Sequence, residues 1–148
     1  MPRHRFITPD EQKQLDSILR ELLKNSDAKT AILLDHGGFL MSTQGFTEHI
    51  DPQTIAVLAA GAFSTTRELA KMIGEEEFTV MFHQGRRDHI HLSAVGKDAL
   101  LVIIFENTTT IGMVRLFARE AAKKLASILR IINQRKSEAP MGNIKLQQ

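Results

Sequence analysis

Three histidines in one short stretch, His83, His89 and His91, are the residues in this sequence whose type and spacing most suggest chemistry. Imidazoles on adjacent strands are common zinc ligands. Antiparallel pairing across a four-residue turn would set Phe82 opposite His91, which puts His89 and His91 on one face of the sheet and His83 on the other. An odd loop length would reverse this arrangement. With the four-residue turn only two imidazoles share a face, so we expect histidines of a sheet or an interface and no metal site.

Other catalytic motifs are missing from the sequence. It has no cysteine, which removes thiol nucleophiles and cysteine-bound metal centres. No serine lies in a Gly-x-Ser-x-Gly elbow, and no GxxxxGK[ST] loop is available to hold nucleotide phosphates. The acidic run at residues 75–77 is typical of a solvated connection, because successive carboxylates repel one another. We therefore expect a protein that is not an enzyme and uses no cofactor.

The length and composition fit one globular domain. The chain has 148 residues, of which 43% are hydrophobic and 24% charged, and a chain of this size buries about 70% of its unfolded surface. The longest apolar run, residues 99–105, is far shorter than the roughly 20 residues that cross a bilayer as a helix. No signal-peptide pattern precedes residue 8. We expect a cytoplasmic protein with a single domain at residues 8–132 and a mobile polar tail at residues 133–148.

The charge is distributed unevenly. The whole chain carries +2, but residues 111–148 contain eight Lys or Arg and only two Glu. Such asymmetry can favour an acidic partner or a nucleic acid. The sequence has no Tyr or Trp to stack on bases. We therefore expect the solvated face of a helix rather than a nucleic-acid surface.

Local signals predict three helices. Residues 8–11 (Thr-Pro-Asp-Glu) form a capping box with proline at the first helical position. Asp-Pro at residues 51–52 repeats the cap-plus-proline signal for a second helix, which Gly74 ends. Apolar residues at helical spacing predict a third helix over residues 111–132. These helices must cover whatever sheet the remaining segments form.

Five short apolar segments predict strands. Two of them, joined by a glycine turn at residues 35–38, make a hairpin, and three more, at residues 78–84, 89–95 and 99–105, make an antiparallel meander. The last is apolar at every position, so we expect it mid-sheet with helices on both sides. The order α-β-β-α-β-β-β-α predicts an α+β fold, a three-layer α/β/α sandwich around a five-stranded antiparallel sheet.

The second helix has two stripes. The stripe that we expect to face the core is Ile55, Leu58, Ala59, Ala62, Leu69, Met72 and Ile73. The opposite stripe begins with small residues and continues with charged ones, and comprises Val57, Ala60, Gly61, Ser64, Arg67, Glu68 and Lys71. A glycine inside a helix costs about 1 kcal/mol relative to alanine, which favours a role for Gly61 in close contact with another backbone. The outward stripe therefore predicts an interface.

The strand at residues 78–84 supports this interpretation. Phe78, Val80 and Phe82 fill one of its faces, and a long apolar strand at a sheet edge tends to pair with another chain. A two-fold dimer would pair these strands into a ten-stranded sheet and bring the second helices together. We expect a homodimer whose interface includes these three residues with Val57 and Gly61.

Several short segments, in this order along the chain, carry a family resemblance. They are AILLD at 31–35, LAAG at 58–61, LAK at 69–71, FHQG at 82–85, ALLVIIF at 99–105 and GMVR at 112–115. Together they resemble the Roadblock/dynein light chain superfamily, and within it the bacterial MglB-type proteins. None of them is a catalytic signature.

The resemblance implies a homodimer that binds a small Ras-like GTPase of the MglA type. In MglB-type proteins it further implies stimulated GTP hydrolysis without an inserted arginine finger, in cell polarity and gliding motility. The paired second helices are the family's docking platform, which here corresponds to Ala60, Ser64, Arg67, Glu68 and Lys71. Other Roadblock-type proteins are scaffolds or adaptors that bind GTPases, or one another, without accelerating hydrolysis, and that alternative stays open.

Overall fold

A computed structural model describes residues 6–147 of the chain and the side chains of residues 6–135. The elements are helix α1 (Pro9–Ser26), strands β1 (Thr30–Asp35) and β2 (Leu40–Gly45), helix α2 (Pro52–Met72), strands β3 (Val80–Gln84), β4 (Asp88–Val95) and β5 (Ala99–Glu106), and helix α3 (Ile111–Gln147). The predicted element order and fold class are confirmed.

The five strands form one antiparallel sheet in the order β2-β1-β5-β4-β3. Strand β5 is central, and all of its residues except Glu106 are buried. Side chains of a strand alternate between faces, and here the two faces are covered differently. Residues such as Leu101 and Ile103 pack against α1 and α3, whereas Leu100 and Val102 pack against α2. The predicted mid-sheet position of this strand is confirmed.

Helix α1 starts at the predicted capping box. The Glu11 backbone N–H donates to the Thr8 hydroxyl at 3.1 Å, and the Thr8 N–H donates to the Glu11 carboxylate at 3.0 Å. The helix ends at Asp27, whose φ of 61° is left-handed. Leu15 and Leu19 are fully buried on its inner face, so capping and burial together fix the helix on the sheet.

The β1–β2 turn positions the start of α2. Gly38 has a φ of +89°, and a Cβ there would lie 3.1 Å from the Cα of Val57, so this glycine allows both the turn and the close approach. The Gln53 side-chain amide donates to the Gly38 carbonyl at 2.7 Å. The predicted Asp51 cap is present, with its carboxylate accepting from the Gln53 N–H. These contacts fix the N-terminal end of α2 against the hairpin.

Helix α3 does not end at Ile132, as the apolar pattern predicted, but continues to Gln147. The apolar stripe marks the part of α3 that packs on the sheet, and its loss after Ile132 does not by itself mark where the helix ends. Within the continued part, Arg135 donates to the Glu11 carboxylate at 2.6 and 3.0 Å and to the Phe6 carbonyl. These bonds tie α3 to the start of α1. The predicted mobility of residues 133–148 stays a prediction.

Candidate interaction surface on helix α2 and strand β3

Helix α2 faces the sheet with its small residues and one aromatic. The residues buried beneath it are Ala56, Ala60, Phe63 and Ala70. Ala60 is only 8% exposed, so the prediction that it lies on the outward face is wrong. Three alanines allow the helix backbone to lie close to the sheet, and the Phe63 ring fills the remaining space between them.

The larger apolar residues of α2 point away from the sheet. Leu58, Leu69, Met72 and Ile73 are 68%, 57%, 82% and 67% exposed, although the sequence predicted that they would face the core. We call these four residues the outer stripe. Leu69, Met72 and Ile73 are close along the chain, and Leu58 lies about three turns away on the same side of the helix. Apolar side chains exposed on one side of a helix favour burial against another surface. The sequence does contain a signal for this exposed stripe, because α2 carries apolar residues on more than one side. That pattern is typical of a helix that is covered on two sides.

The remaining predicted docking residues surround the outer stripe. Ser64, Glu68 and Lys71 are exposed, and the Lys71 ammonium lies 3.4 Å from the Glu68 carboxylate. Arg67 is held against its own chain, with its guanidinium 5.6 Å from the Phe63 ring centroid and its Nε 3.8 Å from the Glu77 carboxylate. The surface of α2 thus combines an apolar stripe with polar and paired charged groups.

Two residues predicted for the dimer interface, Val57 and Gly61, also lie on the outside of α2. Val57 is 53% exposed. A Cβ built on Gly61 would meet nothing within 4 Å. Among the described residues, no contact from another part of the chain therefore requires glycine at this position.

Strand β3 forms one edge of the sheet, and within the described residues it pairs only with β4. Val80 and Phe82 are 43% and 38% exposed on the face that carries α1 and α3. Phe78 is half-buried and precedes the strand, which begins at Val80 rather than at residue 78 as predicted. The Phe82 ring stacks on Phe105 with centroids 6.0 Å apart, which fixes its orientation at the edge.

The edge strand and α2 are connected to each other. The Thr66 hydroxyl of α2 contacts the Met81 sulfur of β3 at 3.1 Å, and Arg67 lies near Glu77 just before the strand. These contacts join one flank of α2 to the β3 edge. The outer stripe lies on the solvent side of α2, whereas the exposed Val80 and Phe82 lie on the opposite face of the sheet.

The three histidines take the predicted register, with Phe82 opposite His91 and His83 opposite Ile90. His89 has a structural role: its Nδ1 accepts from the Gly85 N–H at 3.2 Å, and its Nε2 lies 2.7 Å from the Asn107 side-chain oxygen. The accepting Nδ1 requires that Nε2 carries the proton. His89 thus fastens the β3–β4 turn to the end of β5. Among the described residues no three potential ligands form a metal-binding group.

Part of the positive charge of α3 is paired with α1. The Lys124 ammonium lies 3.4 Å from the Glu21 carboxylate, and Arg135 lies 2.6 Å from Glu11. Hydrogen bonds from Arg135 hold the pKa of Glu11 below its usual value. No helix in the part of the chain that the structure describes is long and apolar enough to span a membrane.

Comparisons of the sequence and of the structure with known proteins point to the same family. The family model of the Roadblock/LC7 domain matches residues 14–105. The structure of Myxococcus xanthus MglB is 35% identical with a TM-score of 0.80, and the match covers 86% of this chain and 96% of that one. The gliding protein MglB of Thermus thermophilus is 31% identical with a TM-score of 0.77, covering 84% and 94% of the two chains.

A third solved structure, an MglB described as having a tetrameric arrangement, is 31% identical with a TM-score of 0.78. The match covers 84% of this chain and 93% of that MglB chain. A sequence search of curated proteins found no match.

Proposed function

Because this chain belongs to the Roadblock/LC7 domain family, we propose that it is a homodimeric regulator of a small Ras-like GTPase of the MglA type. In this proposal it stimulates GTP hydrolysis without contributing an arginine finger. The protein acts in the cytoplasm, in cell polarity and gliding motility. The observation that carries the proposal is a pair of exposed features in a chain similar to MglB: the outer stripe of α2, and the β3 edge, which within the described residues pairs only with β4.

Two exposed features support dimerisation, one apolar and one made of backbone hydrogen-bonding groups. The outer stripe exposes apolar area that favours burial, and β3 presents unpaired backbone groups at the sheet edge. A two-fold axis beside β3 buries both surfaces in one step, because the same patch is used on each copy. Gly61 supports the same arrangement, since its missing side chain allows two α2 helices to approach closely.

The paired helices then form the docking platform. Ser64, Glu68 and Lys71 are exposed on each copy and contact the GTPase from both sides of the axis. The regulator binds best to the GTPase conformation whose switch loops and catalytic side chains are aligned for in-line attack by water. Acceleration arises from that preference, and the reacting groups belong to the GTPase.

Arg67 of α2 is not positioned as an arginine finger. It is the one arginine in α2, and its guanidinium is held by Phe63 and Glu77 of its own chain. An arginine finger must instead extend into the nucleotide site of the partner. In the proposal, Arg67 therefore forms part of the surface of the platform and does not enter the nucleotide site.

The activity is tested by measuring phosphate release from a GTP-loaded MglA-type GTPase of the same source, with and without this protein. We expect faster release in its presence. Ser64→Arg places a bulky charge on the platform and abolishes both binding and acceleration, while the matched variant Ser17→Arg, on exposed α1 surface, leaves both intact. Binding without acceleration would instead support a non-activating scaffold, and binding that survives Ser64→Arg would place the docking face elsewhere.

Dimerisation is tested by light scattering during size exclusion. We expect twice the chain mass, and a monomer mass for Phe82→Asp, because a carboxylate at the strand edge disfavours an apolar seam. Phe46→Asp is the control, since Phe46 is 46% exposed and follows β2 at the other edge of the sheet. A monomeric wild-type protein at micromolar concentration would refute the dimer and the platform with it.

A further inference from the structure

A small cleft opens between α3 and the β3–β4 edge, on the face of the sheet opposite α2. Its volume is about 190 Å³, and its polar lining comes from Thr79, His91, Ser93, Arg115 and Arg119. Pockets for drug-sized ligands measure roughly 300–1,000 Å³, and a water molecule takes about 30 Å³. The cleft therefore suits a small polyatomic ion with a few waters rather than a nucleotide.

Two buried side chains in the lining have unsatisfied polar atoms. His91 and Ser93 are 2% and 7% exposed. The His91 Nδ1 and the Ser93 hydroxyl oxygen have no hydrogen-bond partner among the described residues. Buried polar groups are nearly always bonded in native proteins, and an exception calls for a ligand or another specific explanation. Both residues line the cleft, and both groups can act as hydrogen-bond donors. The two atoms are almost inaccessible to solvent, so a small side-chain rotation would be needed to bring them to a ligand.

Two arginines bring positive charge to the same cleft. Arg115 and Arg119 are four residues apart on α3, so they lie on one face of the helix. Within residues 6–135 neither guanidinium makes an ion pair or a side-chain hydrogen bond. No Asp or Glu is among the described residues that line the cleft. Like charges at this spacing repel one another, and an anion between them removes the repulsion.

The ionisation state of His91 fits the same arrangement. Burial, with the nearby positive charge of Arg115, lowers its pKa to about 4. The imidazole is therefore neutral at neutral pH. A neutral ring protonated at Nδ1 keeps a donor available at that atom without adding a third positive charge beside the arginines.

We propose that this cleft is a binding site for a small phosphate-type oxyanion. Arg115 and Arg119 pair with its charge, and His91 Nδ1 and the Ser93 hydroxyl donate hydrogen bonds to its oxygens. Guanidinium groups are well matched to such ions, because their planar donors bind two oxygens at once. The site lies on the face of the sheet opposite the outer stripe of α2, but its lining also includes Val80 of the β3 edge that the proposed dimer uses. Phosphate binding is therefore measured separately from GTPase activation and from dimerisation.

The site is tested on the full chain with inorganic phosphate. We expect millimolar phosphate to raise the thermal midpoint in a saturable way at constant ionic strength, because a ligand that binds only the folded state stabilises it. Sodium chloride at the same ionic strength is the reference. Acetate, in a parallel titration, reports whether the cleft prefers a carboxylate. An equal response to chloride, or a larger one to acetate, would overturn the assignment.

Two double variants with the same charge change locate the binding. Arg115→Gln with Arg119→Gln should weaken phosphate binding by about tenfold or more, since each charged hydrogen bond contributes at least that factor. Arg86→Gln with Arg87→Gln, in the exposed β3–β4 loop, should bind phosphate as the wild type does. Equal binding by the two double variants would reject the cleft as the site.

Two further readouts separate ligation from general stabilisation. Phosphate should shift the side-chain nitrogen resonances of His91 in wild-type protein but not in the Arg115/Arg119 double variant. Ser93→Ala should weaken phosphate binding by a few-fold without lowering the thermal midpoint measured in the absence of phosphate, because it removes an unsatisfied hydroxyl. Unchanged His91 resonances at saturating phosphate would contradict the proposal. Light scattering should give one mass for all variants.

Discussion

The two faces of the sheet are covered in different ways. Helices α1 and α3 lie together over one face, and their inner residues, such as Leu19 and Leu125, are completely buried. Helix α2 lies alone over the other face and buries mainly alanines and Phe63. One face is thus covered by two helices except near the β3 edge, where Val80, Phe82 and the cleft stay open. The other face is covered by one helix, whose outer stripe is exposed.

This difference shows which part of the surface stays exposed and is available to a partner. On the two-helix face each helix also covers the side of its neighbour, as the Lys124–Glu21 pair illustrates. On the one-helix face α2 has no neighbour, so large side chains such as Leu69 and Met72 remain in solvent. A leucine therefore contributes to folding on the first face and, in our proposal, to assembly on the second.

The largest effect is expected for Leu125→Ala, in the buried core of the two-helix face. Leu125 is 0% exposed, and removing a buried leucine side chain leaves a cavity that costs about 2–5 kcal/mol. We expect a loss of that size in the free energy of unfolding, measured by urea denaturation. Ile131→Ala, at a position of the same helix that is 56% exposed, is the control and should cost far less. Similar losses for both would mean that burial beneath α3 does not distinguish the two positions.

A second expected effect concerns pH and again belongs to the two-helix face. The pKa of His91 is about 4 in the folded protein against 6.5 ordinarily, so the unfolded chain binds more protons between these values. Stability therefore falls as the pH drops below 6.5, by about 2 kcal/mol between pH 7 and pH 5. We expect His91→Gln to lose this part of the pH dependence in urea unfolding. An unchanged pH profile in the variant would show that His91 is not the group responsible.

The smallest effect on folding is expected for Leu69→Ala, the same substitution on the exposed face. Leu69 is 57% exposed, and surface substitutions usually change the free energy of unfolding by less than about 0.5 kcal/mol. Its effect should instead appear in assembly, as a weaker dimer by light scattering and a reduced dependence of unfolding on protein concentration. A loss as large as that of Leu125→Ala, independent of concentration, would remove the distinction between the faces.

Local features were predictable from the sequence. The capping box at Thr8 and Glu11 forms because both partners lie within one turn. The register that sets Phe82 opposite His91 follows from the length of the turn. The uniformly apolar segment at residues 99–105 identifies the central strand. In each case the deciding contacts are short-range or the pattern has one interpretation.

The rotation of α2 was not predictable in the same way. Hydropathy favours Leu58 and Leu69 for the core over Ala56 and Ala60, yet the alanines are buried and the leucines exposed. Which stripe meets the sheet depends on how closely the helix approaches it, and that distance is set by tertiary packing. For the same reason Ala60 was wrongly included among the docking residues. The roles of Ser64, Arg67, Glu68 and Lys71 stay predictions.

Glycine at position 61 has opposite effects on the stability of the single chain and on the proposed dimer. With no atom near the position of its missing Cβ, alanine would fit there and would stiffen the helix by about 1 kcal/mol. In a pair of crossing helices the added methyl group would hold the two backbones apart. In the proposed dimer, glycine would thus lower the stability of the helix in each protomer while allowing the two α2 backbones to approach, and Gly61→Ala would separate these two effects.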